Sequence, residues 1–159
     1  AASDVYKRQG LNWKGIDFSI LLQGAARSSI YLQQDIAWDN FWGNYYEEHI
    51  GRWTPETAAT ATYPRFTKAA TAAHPNYYKS DYWLKDSKYL RLKNIQLGYT
   101  IPRKLLKKFG VRSLRVYANA YNLFTWDNVK KVDPESSNNS NGQFYPQQKV
   151  INFGINLNF

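Results

Sequence analysis

The sequence predicts an all-β fold: about five antiparallel strands of a large transmembrane β-barrel, with long loops at one rim and short turns at the other. Three observations lead there. Apolar residues recur at period two in four separate stretches. The connections between those stretches alternate between short and very long. No run approaches the roughly 18 consecutive apolar residues of a membrane helix, which excludes helical spans but not strands.

Composition narrows the classes further. At 159 residues, 43% hydrophobic and 21% charged, with Gly 9 and Pro 6, the chain is neither collagen-like nor compositionally disordered. Cys 0 excludes a disulfide framework, thiolate metal sites and a cysteine nucleophile. With Met 0 the sequence is expected to be a piece of a longer chain, any signal peptide lying upstream. Trp 6, Tyr 13 and Phe 8 make an aromatic share of 17%. Such a load suits β-rich cores, sugar or base stacking platforms, and the girdles of membrane barrels. The net charge of +9 favours anionic partners in general.

Residues 1–10 show no usable periodicity, and Asp4-Val5-Tyr6-Lys7-Arg8-Gln9 reads as translated adaptor sequence. They are set aside as a non-native leader, leaving 11–159 as the barrel segment. Leu11-Asn12-Trp13 ends a strand, and Lys14-Gly15 is a tight turn whose glycine accepts positive φ. Ile16, Phe18, Ile20 and Leu22 then alternate with Asp17, Ser19 and Gln23, Leu21 being the exception. From 24 to 86 the alternation is gone; prolines at 55, 64 and 75 and an Ala/Thr tract at 57–62 mark a long loop, with short helical turns expected around 33–46.

A strand begins at Lys88, with Ile95, Leu97, Tyr99 and Ile101 on one face. Helix signals follow over 102–110: Thr100 as a cap, Pro102 near the first turn, lysines at the end and Gly110 after it. Leu114, Val116, Ala118 and Ala120 alternate with Arg115, Tyr117, Asn119 and Tyr121. A polar loop spans 127–148, and the chain finishes with Ile151, Phe153, Ile155, Leu157 and Phe159 between small or amide residues. At 43% apolar composition, that nine-residue template arises by chance in about two of a thousand windows.

In an up-and-down array alternate connections emerge on the same side. The short Lys14-Gly15 turn and the 102–112 turn therefore share one rim, and the loops 24–86 and 127–148 share the other. Outer-membrane barrels segregate their connections this way, with short periplasmic turns and long extracellular loops. The apolar set would face lipid; Arg115, Tyr117, Asn119 and Tyr121 would face the lumen. A soluble antiparallel sheet with one solvated face fits the strand patterns equally well, and loop asymmetry with the terminal Phe159 favours the barrel.

From Tyr89 the residues resemble a known family. Tyr89-Leu90-Arg91-Leu92-Lys93-Asn94-Ile95-Gln96-Leu97-Gly98-Tyr99-Thr100-Ile101-Pro102 resembles the C-terminal region of SusC/RagA-type TonB-dependent outer-membrane transporters. So do Ser113-Leu114-Arg115-Val116-Tyr117, Asn122-Leu123-Phe124-Thr125, Asp133-Pro134-Glu135 and the alternating tail. Upstream, Trp13-Lys14-Gly15-Ile16-Asp17-Phe18, Gln23-Gly24 and Arg52-Trp53-Thr54-Pro55-Glu56 are similar to it as well. The resemblance covers about 11–159. It implies the last strands of a barrel of about 22 strands, in an outer-membrane importer of glycans or peptides energised through TonB. It further implies a SusD-like surface lipoprotein as lid and recognition of Phe159 by the barrel-assembly machinery. A plug and a TonB-binding segment would lie outside this sequence.

Other chemistry is weakly represented. His49 beside Glu47-Glu48 lacks metal-ligand spacing, His74 is isolated, and no nucleophile–base pair or phosphate-binding glycine loop is present, so neither an enzyme nor a cofactor is expected. Asn138-Asn139-Ser140 is formally a glycosylation sequon in a polar loop. Arg103, Lys104, Lys107, Lys108 and Arg112 form a basic cluster that reads as a solvated turn, not a nucleic-acid site. Loop aromatics, from Trp38 and Trp42 onward, either pack the loop or meet ligand; Trp53, Tyr77, Tyr78, Tyr82 and Trp83 are the candidates for substrate or partner contact. The alternative to a transporter is a secreted or surface β-sheet carbohydrate-binding module.

Overall fold

A computed structural model describes residues 4–34, 37–39, 43–68, 74–136 and 145–159. The chain divides into two compact units: Ala1–Ser28 with Lys88–Asn128 and Gln147–Phe159, and Ser29–Ser87 with Val129–Pro146. Trp42 and the 138–140 sequon lie outside the described residues.

The first unit is one antiparallel sheet. Its strands are β1 (Asp4–Trp13), β2 (Ile16–Ala25), β5 (Tyr89–Thr100), β6 (Ser113–Asp127) and β7 (Val150–Asn158), paired in that order. The intervening β3 (Ser29–Tyr31) and β4 (Leu84–Asp86) belong to the second unit. Every neighbour in the sheet is thus a sequence neighbour once the inserted segments are removed. β1 pairs with β2 from Asp4↔Ala25 to Trp13↔Ile16, so strand structure extends back through residues that carry no apolar period. Backbone pairing needs no particular side chain, and β2 supplies the partner groups.

The β1–β2 turn closes with both central residues at positive φ, Lys14 at 46° and Gly15 at 88°. That is the primed geometry whose twist matches the flanking strands. A Cβ on Gly15 would also stand 2.7 Å from the Thr100 carbonyl oxygen, whose own amide donates to Gly15 O at 2.7 Å. The β5–β6 connection carries a short helix, α1 (Arg103–Leu106), continued by a 3₁₀ turn over Lys107–Phe109 and ended by Gly110 at φ 69°. Thr100 is not its cap: it is the last residue of β5, and Pro102 occupies the N-cap position without a side-chain bond. One irregularity marks the sheet, where Lys93 is skipped in both β5 pairings and Asn122 opposite takes φ 51°. Local tethers hold this bulge: Lys93 Nζ donates to Gln147 Oε1 at 3.0 Å and Asn122 Nδ2 to Gln148 O at 3.1 Å.

The second unit is where the sequence predicts a loop of roughly sixty residues without regular structure. It instead has its own core of Ile30, Leu32, Ala37, Trp38, Tyr63, Tyr77, Trp83 and Val129. Within the 33–46 span expected to carry helical turns, the Ala37 and Trp38 amides donate to Gln34 O at 3.1 and 3.0 Å, while 35–36 and 40–42 lie outside the described residues; further 3₁₀ turns stand at Glu47–Gly51 and Pro75–Tyr77. At the centre lies Asp39, fully buried. Its carboxylate accepts from the Tyr77 hydroxyl, from the Thr67 amide at 3.0 Å and, more distantly, from the Tyr63 hydroxyl at 3.4 Å. His49 is also buried, and its bonds fix its tautomer: Nδ1 accepts from the Tyr46 amide at 3.1 Å while Nε2 donates to Ala37 O at 3.2 Å. Each of these groups replaces water with a specific partner, as burial requires.

Two outcomes follow for this unit. Asp39→Ala removes the acceptor of the Thr67 amide and the nearer of two partners of the Tyr77 hydroxyl; a loss of about 2–4 kcal/mol is expected, read as faster proteolysis within 29–87. Burial, with the charge of Glu48, holds the Tyr82 hydroxyl up at about 12, and burial raises Tyr63 and Tyr77 further. The neutral phenols are the folded-state form, so their contribution is complete below pH about 10 and is lost as pH climbs toward and past 12. Alkaline titration followed by tyrosinate absorbance should show these three ionising last, together with loss of protease resistance.

Candidate functional site

The two faces of the five-stranded sheet differ in kind. Register aligns Leu11, Phe18, Leu97, Ala118 and Phe153 in one row across all five strands. The next row holds Trp13, Ile16, Tyr99, Val116 and Ile155, and no charged residue stands in either. Among the described residues much of this face is exposed: Phe153 is 82% exposed, Ile155 69% and Leu97 55%. Ten large apolar side chains on it are exposed, namely Leu11, Trp13, Ile16, Leu97, Tyr99, Val116, Ile151, Phe153, Ile155 and Leu157. Even at half the transfer energy of full burial, they represent about 8–15 kcal/mol, as much as the net stability of a whole domain.

Aromatic rings bracket this face. Trp13 and Tyr99 stand at the short-turn end, and Phe124 and Trp126, stacked at 6.1 Å, stand toward the other. Trp126 pairs with Leu90, nine residues from Tyr99 along β5. That is about 30 Å of strand, or about 21 Å of depth at a tilt of ~45°.

The opposite face is polar. Arg115, Tyr117, Asn119 and Tyr121 alternate along β6 and share it with Asp17, Ser19, Gln96 and Asn152. Arg115 reaches across β5 to Asp17, donating from Nε at 2.8 Å and from Nη2 at 2.5 Å. The strand between them presents Gly98, where a Cβ would sit 2.5 Å from both Arg115 Nη2 and Asp17 Oδ1. Gly98 is therefore the gap through which the fork closes. Arg115 also stands 4.9 Å from the centroid of the Tyr117 ring, which in turn lies over Gly154, the residue paired with Tyr117. Two glycines thus let one ion pair and one ring lie flat on this face. Alternation along β6 makes its polar-face residues legible in the sequence, whereas Gly98 and Gly154 are not, because their role depends on residues distant in sequence.

The loop aromatics divide by burial. Tyr77 and Trp83 are core residues of the second unit, 4% and 2% exposed, and so offer no contact surface. Their rings pack against Trp38 and Tyr63, and Trp83 Nε1 donates to Asn76 O at 3.0 Å. Trp53, Tyr78 and Tyr82 keep exposed surface. Tyr82 is oriented by its hydroxyl, which donates to Thr62 O at 2.9 Å, with Lys85 Nζ 4.8 Å from its ring centroid. Trp53 is held at its backbone, whose amide donates to Tyr63 O at 2.9 Å, beside a Thr54–Thr57 turn closed by reciprocal hydroxyl bonds. Phe159 is exposed at the end of the sheet.

The Asp17–Arg115 fork carries a testable consequence. Gly98→Val should force the fork open at a cost of about 1 kcal/mol or more for the lost partly buried pair. Once Asp17 and Arg115 are replaced by Asn and Gln, the same substitution should cost measurably less in a double-mutant cycle of unfolding midpoints.

Comparison with known proteins agrees with this geometry. No protein-family model matches the chain. It is 30% identical over 166 residues to TonB-dependent receptor P26 of Formosa agariphila, covering 94% of the chain and 16% of the receptor. TonB-dependent receptor P3 of the same organism is 26% identical over 94% of the chain, and TonB-dependent receptor SusC of Bacteroides thetaiotaomicron is 34% identical over 84 residues, 52% of the chain. The chain thus spans about a sixth of the length of the curated relatives it matches. In fold it matches the RagAB peptide importer in its closed-closed state with a TM-score of 0.73 at 23% identity, over 97% of the chain and 17% of that structure's chain. A further structure of the RagAB peptide transporter gives 0.72 at 24%, over 94% and 16%. Sequence likeness and shared fold agree: the chain belongs with the TonB-dependent receptors, and its antiparallel sheet has the fold of the matching part of the RagAB importer.

Proposed function

We propose that this chain is the C-terminal stretch of barrel wall in an outer-membrane, TonB-dependent importer of glycans or peptides. The observation that carries the reading is the exposed apolar face, bracketed by aromatic rings and backed by a polar face with a neutralised ion pair. Lipid is the solvent for which such a face is complementary, and the spacing of its rings suits an apolar band about 25 Å tall. A soluble sheet would have to cover the same surface with a second layer. The polar face becomes lumen wall, offering amides and hydroxyls along the path of a hydrophilic solute.

In this reading the second unit is extracellular, built from both long connections, and Trp53, Tyr78 and Tyr82 are its surface for substrate or for a SusD-like lipoprotein lid. Capture between barrel and lid is followed by TonB-driven rearrangement of a plug carried elsewhere in the receptor. Phe159 serves as the signal for the barrel-assembly machinery. The relatives' names as receptors, and the peptide importer among the matching structures, support import over catalysis.

The test compares adjacent residues of β7 in the full-length receptor. Phe153→Arg places a charge near the middle of the apolar face and is expected to cost about 2–4 kcal/mol, seen as loss of folded receptor from the outer-membrane fraction. Asn152→Arg, on the other face, should leave assembly intact. Equal tolerance of both would contradict a lipid-facing sheet. For the loop surface, alanine at Trp53, Tyr78 and Tyr82 together should reduce substrate uptake or lipoprotein co-purification without reducing receptor abundance.

A further inference from the structure

The β5–β6 turn has a composition that neither strand pairing nor solute import uses. Between Ile101 and Arg112 the sequence holds Arg103, Lys104, Lys107, Lys108 and Arg112 and no acidic residue. The backbone there is α1 and its 3₁₀ extension, which bury only Leu106. Leu105 and Phe109, one helical turn apart, point away from the protein at 65% and 76% exposure, and the five cations are exposed around them. A solvated turn gains nothing from two large bare apolar side chains. A surface that is apolar at its contact points and cationic around them suits a layer with hydrocarbon below and anionic oxygens above.

Position on the sheet supports the same conclusion. The turn leaves β5 directly after Tyr99 and Thr100, and Tyr99 shares with Trp13 the aromatic row at this end of the apolar face. Ile101 N donates to Leu114 O at 2.9 Å and Arg112 N to Asn158 O at 2.8 Å, so the turn is tied at both ends to the rim and cannot swing away. The neighbouring β1–β2 turn adds Lys14, its Nζ 4.9 Å from the Trp13 ring centroid. Aromatic rings at the edge of an apolar band sit at headgroup depth. Cations one turn beyond them fall where lipid phosphates lie, their stems lying along the apolar surface.

We propose that this turn is a lipid anchor: Leu105 and Phe109 enter the leaflet on the short-turn side, and Arg103, Lys104, Lys107, Lys108 and Arg112 bind the phosphates of anionic phospholipid. The inference rests on the barrel reading above, so its test carries an internal reference. In the full-length receptor, on a background free of other reactive thiols, Phe109→Cys and separately Phe153→Cys are labelled with an environment-sensitive dye. Each is reconstituted into phosphatidylcholine vesicles with or without phosphatidylglycerol, containing a lipid-borne quencher. The label at 109 is expected to be quenched when phosphatidylglycerol is present and to lose that quenching at high salt. In the Lys104→Gln, Lys107→Gln, Lys108→Gln variant the hold on phosphatidylglycerol should weaken about fivefold per removed charge.

Quenching at 153 with a water-exposed label at 109 would overturn the anchor and leave the barrel reading standing. Absence of quenching at both positions would overturn the barrel reading itself. Quenching at 109 that ignores lipid charge, salt and the lysine changes would overturn the phosphate-binding role. A label at 109 shielded from both lipid-borne and aqueous quenchers would mean that the turn docks on protein, and would overturn the proposal.

Discussion

Because side chains alternate across a strand, a slip of one residue in any of the four sheet pairings would carry that strand's whole apolar set to the other face. In this sheet the pairings hold five strands in one phase, so that Leu11, Phe18, Leu97, Ala118 and Phe153 fall in a single row. The exposed apolar face, the polar face behind it and the aromatic rows at its ends all exist only in that phase. The bulge at Lys93 is consistent with this: β5 and β6 absorb their irregularity at the same level, and beyond it Leu22, Leu92 and Phe124 still share a row.

The polar face obeys a second constraint, set by space. Bulky polar groups can lie flat on a pleated surface only where a neighbouring strand yields room, and Gly98 and Gly154 yield it. Arg115 and Asp17 then neutralise one another across an intervening strand, while Tyr117 fills the gap above Gly154. With that fork closed, Ser19, Gln96, Asn119, Tyr121 and Asn152 leave hydroxyls and amides on this face, beside the Arg8 guanidinium.

Legibility in the sequence tracked periodicity. The strands around Ile16–Leu22, Ile95–Ile101, Leu114–Ala120 and Ile151–Leu157 could be read because a half-exposed sheet imposes period two. The Lys14-Gly15 turn was readable because primed hairpins need positive φ. The β1 stretch before Leu11 was not, since backbone pairing to β2 leaves no side-chain signature. Nor was the second unit, where aromatic rings gather around Asp39 from Trp38, Tyr63 and Tyr77, with Val129 arriving from the other long connection. Such a core has no repeat; its logic is three-dimensional. The same blindness put Tyr77 and Trp83 among the surface candidates, although the hydrophobic payload of their rings is spent inward.

In the proposed barrel one face of the sheet meets lipid and the other meets water. The direct measurement is a residue-by-residue scan along β7, from 151 to 157, with a small label introduced singly in the full-length receptor in vesicles. A lipid-borne quencher should reach 151, 153, 155 and 157, and an aqueous quencher should reach 152, 154 and 156. A period-two exchange between the two quenchers is the predicted result. Aqueous quenching at every position, or lipid quenching at every position, would contradict the account.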